Sequence, residues 1–133
     1  MKLIFEKGDT KTYELIVSKD NIATFDSGNV HKVLSTFSIG KYAEWVCRLF
    51  AIDMKEEDEE GIGTYLEIFH KSPALLGDLV IFTSIFDKVA GESVYCDFTV
   101  ETSGRLVAKG RTGQKIMKKE KINENLLKIS KNV

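Results

Sequence analysis

The sequence predicts an α+β domain in which an antiparallel sheet wraps one long helix, and three observations carry that prediction. From about Ile39 to Met54, apolar residues recur at helical spacing around most of the circumference. Downstream, three or four segments alternate apolar and polar residues with the period of a strand, and one such segment lies upstream. The length, 133 residues, suits a single domain with one hydrophobic core.

Each element has its own warrant. From Thr10 to Val17, Tyr13, Leu15 and Val17 alternate with Thr12 and Glu14, as in a half-buried strand. The next stretch, with Asp20-Asn21, Asp26-Ser27-Gly28-Asn29 and His31, reads as a loop. In the helix, Ile39, Ala43, Val46 and Phe50 form a stripe that Tyr42, Trp45, Leu49 and Ile52 widen. The acidic run Glu56 to Glu60 reads as a solvated loop, with Gly61 and Gly63 permitting the turn that follows.

Strands are then expected at Thr64 to His70, Asp78 to Lys88, Glu92 to Glu101 and Arg105 to about Lys118. Turns at Pro73, Gly77, Gly91 and Thr102-Ser103-Gly104 separate them. Val94, Cys96, Phe98 and Val100 fall on one face of their strand and Tyr95, Asp97, Thr99 and Glu101 on the other, the mark of a sheet with one wet face. In the last strand the inward set Leu106, Ala108, Gly110 and Thr112 is mostly small, leaving room for a bulky helix. One strand, a long apolar helix and an antiparallel meander make the pattern known as the hotdog fold, here a single domain over residues 1–133. So little sheet cannot cover a helix that is apolar nearly all round, which predicts a homodimer. The sequence leaves open whether dimers pair into tetramers.

Composition narrows the function. A formal net charge of -1 supplies no field for nucleic acid or an anionic membrane. The N-terminus becomes charged after three apolar residues, unlike a signal peptide, and no run approaches the roughly 20 apolar residues of a membrane span. The two cysteines, Cys47 and Cys96, show no metal-ligand or CxxC spacing and read as buried reduced thiols. A cytoplasmic protein with no metal and no bound cofactor is expected.

Three groups capable of hydrolytic chemistry cluster around the helix and the strand after it: Thr36, Glu44 and His70. Each also has a structural explanation. Thr36 can cap the helix, Glu44 can pair with Arg48 four residues on, and His70 can be a hydrogen-bonded core histidine beside Leu66 and Ile68. On one regular helix, Thr36 and Glu44 would stand about 12 Å apart and about 80° around the axis, too far to touch. Gly40 near the helix start would let a substrate carbonyl approach free backbone N–H groups. A cysteine hydrolase using Cys47 with His31 or His70 is the weaker alternative, because Cys47 lies mid-helix, away from the N-terminus that would activate it.

The stretch Thr36 to His70 resembles the fluoroacetyl-CoA thioesterase family, a branch of the hotdog thioesterases. The resemblance lies in Thr36, in Glu44-Trp45 eight residues later, and in Gly63-Thr64 leading to His70, with weaker similarity from Lys11 to about Asn125. It implies hydrolysis of a small acyl-CoA thioester, with Thr36, Glu44 and His70 as a catalytic triad near the dimer interface and Gly63 as a backbone element beside the acyl group. The family's aromatic gate aligns with Val30 and an arginine of its last strand with Gln114, so the acyl group is expected to differ from fluoroacetyl. Those two departures also support an alternative, a non-catalytic hotdog protein that binds acyl-CoA or another small ligand. Lys109, Arg111 and Lys115, with Lys118 and Lys119 beyond, form a basic row that could hold the nucleotide end of coenzyme A or simply be a solvated face.

Overall fold

The computed structural model describes residues 1–25 and 28–131, the side chains of residues 24–30 excepted. In chain order these are β1 (Thr10–Ile16), a 3-10 turn at Lys19–Asn21, β2 (Ile22–Phe25), β3 (Gly28–Leu34), α1 (Thr36–Met54), β4 (Glu59–His70), β5 (Leu79–Ala90), β6 (Ser93–Thr102), β7 (Arg105–Lys118) and α2 (Lys119–Lys131). Five strands form one antiparallel sheet in the order β1-β5-β6-β7-β4, and β2 pairs with β3 separately. This is the predicted α+β architecture, with α1 packed on one face of the sheet.

Helix α1 begins where the Ser35 side chain accepts the Ser38 backbone N–H, a capping bond that satisfies one of the free donors of the first turn. It ends at Lys55, whose extended backbone breaks the ladder after a last bond to the Ala51 carbonyl. Its stripe Ile39, Ala43, Val46, Phe50 and Met54 is buried against Val80, Phe82 and Phe86 of β5 and Val94, Phe98 and Val100 of β6. Large side chains as completely buried as Phe50, Phe82 and Phe98 contribute about 2–3 kcal/mol each. The buried Ser84 hydroxyl donates to the Val46 carbonyl at 2.8 Å, so the sheet also holds the helix by a hydrogen bond.

Among the small residues of β7, Gly110 also serves packing within the sheet. A Cβ on Gly110 would lie 1.8 Å from the Glu67 carbonyl oxygen and 2.7 Å from the Phe98 ring. Glycine there admits a ring and a neighbouring strand, both within the sheet.

Three segments depart from the sequence reading. The stretch read as a loop after β1 contains β2 and β3, whose register shifts twice, and that irregularity removes the alternation by which a hairpin is recognised. Of the residues assigned to that loop, Asp26 and Ser27 lie outside the described residues. The acidic run is not all loop: β4 begins at Glu59, which is buried and accepts the Glu56 backbone N–H. Its carboxyl is held below the usual range first by that bond and then by the Met1 amino group 2.9 Å away. Finally, the charge-rich end of the chain forms α2, whose Leu126, Leu127 and Ile129 are exposed. Among the described residues no helix is long and apolar enough to cross a membrane.

Candidate active site

The site is assembled by α1 lying along β4, and a single extra residue in β4 decides which side chains face the helix. Gly61 pairs with Ile116 and Gly63 with Gln114, but Tyr65 pairs with Gly113, so Thr64 has no opposite number. This bulge changes the parity of the strand. Before it, Gly61 and Gly63 face α1; after it, Leu66, Ile68 and His70 do, sharing that face with Thr112, Gly110 and Ala108. Without the bulge, Gly63 and His70 would point to opposite faces.

At one end of this face the Thr36 hydroxyl and His70 Nε2 are hydrogen-bonded at 3.1 Å. Thr36 is the first residue of α1 and Ser35 fills the capping role, so the threonine hydroxyl is free for the imidazole. His70 is exposed at the end of the edge strand and not a core histidine. Glu44 lies on the same helix two turns beyond Thr36 and also faces β4: a Cβ on Gly63 would stand 3.7 Å from its Oε1. The pairing of Glu44 with Arg48 does not form. Arg48 donates instead to the Glu60 carboxylate at 2.8 Å and to the Gly61 carbonyl at 2.9 Å. The Gly61 backbone N–H, followed by Arg48, holds the Glu60 carboxyl below its usual range.

Two adjoining clefts run along this surface and share Lys41 and Glu44. One, of about 450 Å³, is lined by Thr36, Phe37, Gly40, Glu44, Leu66 and Ile68. The other, of about 460 Å³, extends past Glu44 to Tyr42, Trp45, Gly63 and Gln114. Thr36 and His70 also border a third, of about 380 Å³, with Val33, Ile39 and Val107. Glu44 thus shares a cleft with Thr36 without touching it, as two residues of one straight helix must.

Gly40 keeps a place in the site for a changed reason. Because α1 starts three residues before Ile39, Gly40 is its fifth residue, and its N–H falls within the helical hydrogen-bond ladder. Its contribution is space, since a Cβ there would meet Leu66 at 3.3 Å and Ile68 at 3.6 Å. Val30 belongs to β3, and its side chain lies outside the described residues. The basic row is largely neutralised: Arg111 bridges Asp87 and Asp97, Lys115 pairs with Glu92, and Lys118 with Asp58. Cys47 and Cys96 are free and buried, and a hydrogen bond with Cys47, followed by burial, pushes the Cys96 thiol up. Neither lines these clefts.

Lys41, Tyr42 and Arg48 line the second cleft without having been given a role in the site from sequence. For Lys41 and Arg48 the available signal was their spacing, three residues before and four after Glu44, which places them on its side of the helix. Among the described residues no group of His, Cys, Asp and Glu could hold a metal ion.

Residues 17–120 match the family model described as FlK, fluoroacetyl-CoA-specific thioesterase. A Thermus thermophilus hypothetical protein, described as a thioesterase superfamily member, is 30% identical and superposes with a TM-score of 0.93 over 98% of this chain and 96% of its own. A hot-dog-like protein of Thermanaerovibrio acidaminovorans is 20% identical, with a TM-score of 0.86 over 93% of this chain and 92% of its own. The fluoroacetyl-CoA thioesterase FlK is 17% identical, with a TM-score of 0.85 over 93% of this chain and 96% of its own. No curated protein sequence matches the chain.

Proposed function

The chain belongs to the fluoroacetyl-CoA-specific thioesterase family, and from that membership and the geometry of the cleft we propose that it is an acyl-CoA thioesterase using Thr36, Glu44 and His70. The observation that carries the reading is the 3.1 Å contact of Thr36 Oγ1 with His70 Nε2, at the edge of a cleft that Thr36 shares with Glu44. A thioester carbonyl lying between the two ends spans the distance that the helix imposes. Glu44 draws a proton from the attacking water, or attacks that carbon to form a mixed anhydride that water then hydrolyses to restore the carboxylate, and the Thr36 hydroxyl donates to the developing oxyanion. His70 delivers a proton to the departing thiolate, so water and thioester become free acid and thiol. The reading assigns the chemistry to side chains alone, and turnover is expected to be unchanged after chelator treatment. Mutants of FlK have been crystallised with acetyl-CoA and with fluoroacetate and CoA, which supports acyl-CoA as the substrate class here.

The same reading includes a homodimer, with the protein cytoplasmic. β4 is an edge strand with its outer hydrogen-bonding groups unclaimed by the sheet, and Ile62 and Leu66 along it are exposed. Phe37, Trp45 and Ile52 extend this apolar surface along α1, past both clefts. A second copy covering it would close the clefts and exclude water from Glu44. Light scattering is expected to give twice the chain mass.

The test of function is release of free thiol from a panel of short, medium and aryl acyl-CoA thioesters. Turnover of at least one member, lost in Glu44→Ala and His70→Ala, is expected. No turnover on any member, or turnover unchanged in both variants, contradicts the proposal. The separation of Glu44 from the Thr36–His70 pair favours a second reading, a non-catalytic acyl-CoA binding protein. Under that reading, bound acyl-CoA is recovered intact after long incubation.

A further inference from the structure

Lys41 stands on α1 between the two ends of the proposed site, five residues after Thr36 and three before Glu44. On a regular helix those separations are about 7.5 Å and about 4.5 Å of rise, with Lys41 about 60° from Glu44 around the axis. Among the described residues, only Lys41 and Glu44 line both of the adjoining clefts. The Lys41 ammonium makes no hydrogen bond or ion pair among the described residues and lies 5.4 Å from the centre of the Tyr42 ring. Arg48, the other cation of the second cleft, is held by the Glu60 carboxylate and the Gly61 carbonyl. Lys41 is exposed, so its four-carbon stem can swing the ammonium through about 6 Å toward the clefts at little cost.

The proposed reaction develops a negative charge in the same place. A thioester carbonyl lying between Thr36 and Glu44 lies beside Lys41, and attack turns its oxygen into an oxyanion. The Gly40 N–H falls within the helical ladder, so α1 offers no free backbone donor at that point. The Thr36 hydroxyl has a single hydrogen and is already in contact with His70. One neutral donor on the helix therefore faces a full charge. The phosphates of coenzyme A are too remote to be the target of Lys41, because the first stands roughly thirteen bonds from the thioester sulfur, about 16 Å when extended.

We infer that Lys41 is a further catalytic residue, its ammonium holding the oxyanion that forms when the thioester carbonyl is attacked. As the new C–O bond forms, the carbonyl π electrons move onto the oxygen beside the ammonium. As they return, the C–S bond breaks and His70 protonates the departing thiolate. Lys41 transfers no proton and acts by its charge, which favours the transition state over the uncharged substrate. The inference rests on the thioesterase reading for its reaction, and the position of Lys41 between the two ends carries the assignment.

The experiment measures kcat and KM separately for the natural sequence, Lys41→Met and Lys41→Cys, on the acyl-CoA that the natural sequence turns over fastest. Lys41→Cys is measured again after alkylation with 2-bromoethylamine, which restores an ammonium, and with iodoacetamide, which adds neutral bulk. Cys47 and Cys96 are buried, so the reagents reach the introduced thiol first. We expect Lys41→Met to lower kcat about tenfold to a hundredfold with KM held within about twofold. The ammonium should return most of the loss in Lys41→Cys and the neutral group should not, a contrast that stands as a test even if Lys41→Met does not fold. A kcat within about twofold of the natural sequence in Lys41→Met overturns the inference, as does a raised KM at constant kcat, which marks substrate binding alone. Equal recovery with the neutral group also overturns it, since bulk and not charge would then be what is missing. Each of these three results leaves the thioesterase reading intact. No turnover by the natural sequence on any acyl-CoA overturns both.

Discussion

The two ends of the cleft are built by the same helix and strand, yet they differ in how complete they are. At the first end, Thr36 and His70 are already bonded to each other, held by the helix cap at Ser35 and by the parity change at Thr64. At the second, Glu44 has no hydrogen bond or ion pair to its carboxylate among the described residues and is exposed beside Trp45. The finished end stands on contacts within one chain. The unfinished end is flanked by the apolar surface that the proposed dimer would cover, and the carboxylate there is free to meet a substrate. A carboxylate kept free of partners costs the fold little and is available for chemistry.

The largest effect is therefore expected at the end that contributes least to stability. Glu44→Gln should lower kcat by about a thousandfold and leave the melting temperature within a degree or so, since an exposed residue with no partner changes stability by no more than about 0.5 kcal/mol. Thr36→Val at the finished end should cost about ten- to a hundredfold in kcat, because it removes one hydroxyl donor and releases the imidazole. Gly63→Ala tests the proximity of Glu44 to β4. The added methyl would sit 3.7 Å from Glu44 Oε1, an ordinary contact, so the fold and the carboxylate should tolerate it while kcat/KM falls about tenfold because the methyl takes space beside the carboxylate from the substrate.

The smallest effect concerns the opposite face of the sheet. Arg111, which donates to Asp87 at 2.7 Å, holds the Asp87 carboxyl below its ordinary value. A carboxyl lowered in the folded state contributes stability that is present above its unfolded pKa, near 3.8, and is lost as pH falls through the folded value. Asp87→Asn should therefore lower stability near neutral pH by under about 1 kcal/mol and flatten the acid limb of a melting-temperature profile, with catalysis unaffected.

These contrasts also explain how much of the molecule was legible in the sequence. The helix stripe and the alternation of Val94, Cys96, Phe98 and Val100 were readable because a buried face repeats with the period of its element, and both are buried as expected. The β2–β3 pair was not, because its register shifts twice. The helix start was misplaced by three residues, since Thr36, Phe37 and Ser38 carry no apolar stripe and the cap is a lone serine. That shift alone explains why Gly40 supplies space and not a free N–H. The bulge at Thr64 was the least visible feature, because one unpaired residue leaves no periodic trace, and yet it sets the facing of His70. The resemblance in Thr36, Glu44, Gly63 and His70 identified residues whose relation to one another only the paired strands could display.

The central claim is that the two ends act as one site, and a double-mutant cycle on kcat/KM with Glu44→Gln and His70→Ala tests it most directly. Groups that serve a single transition state are strongly non-additive. The account predicts that each single substitution costs nearly as much as the pair together. Losses that multiply independently, or a double variant that retains the activity of the natural sequence, would contradict it.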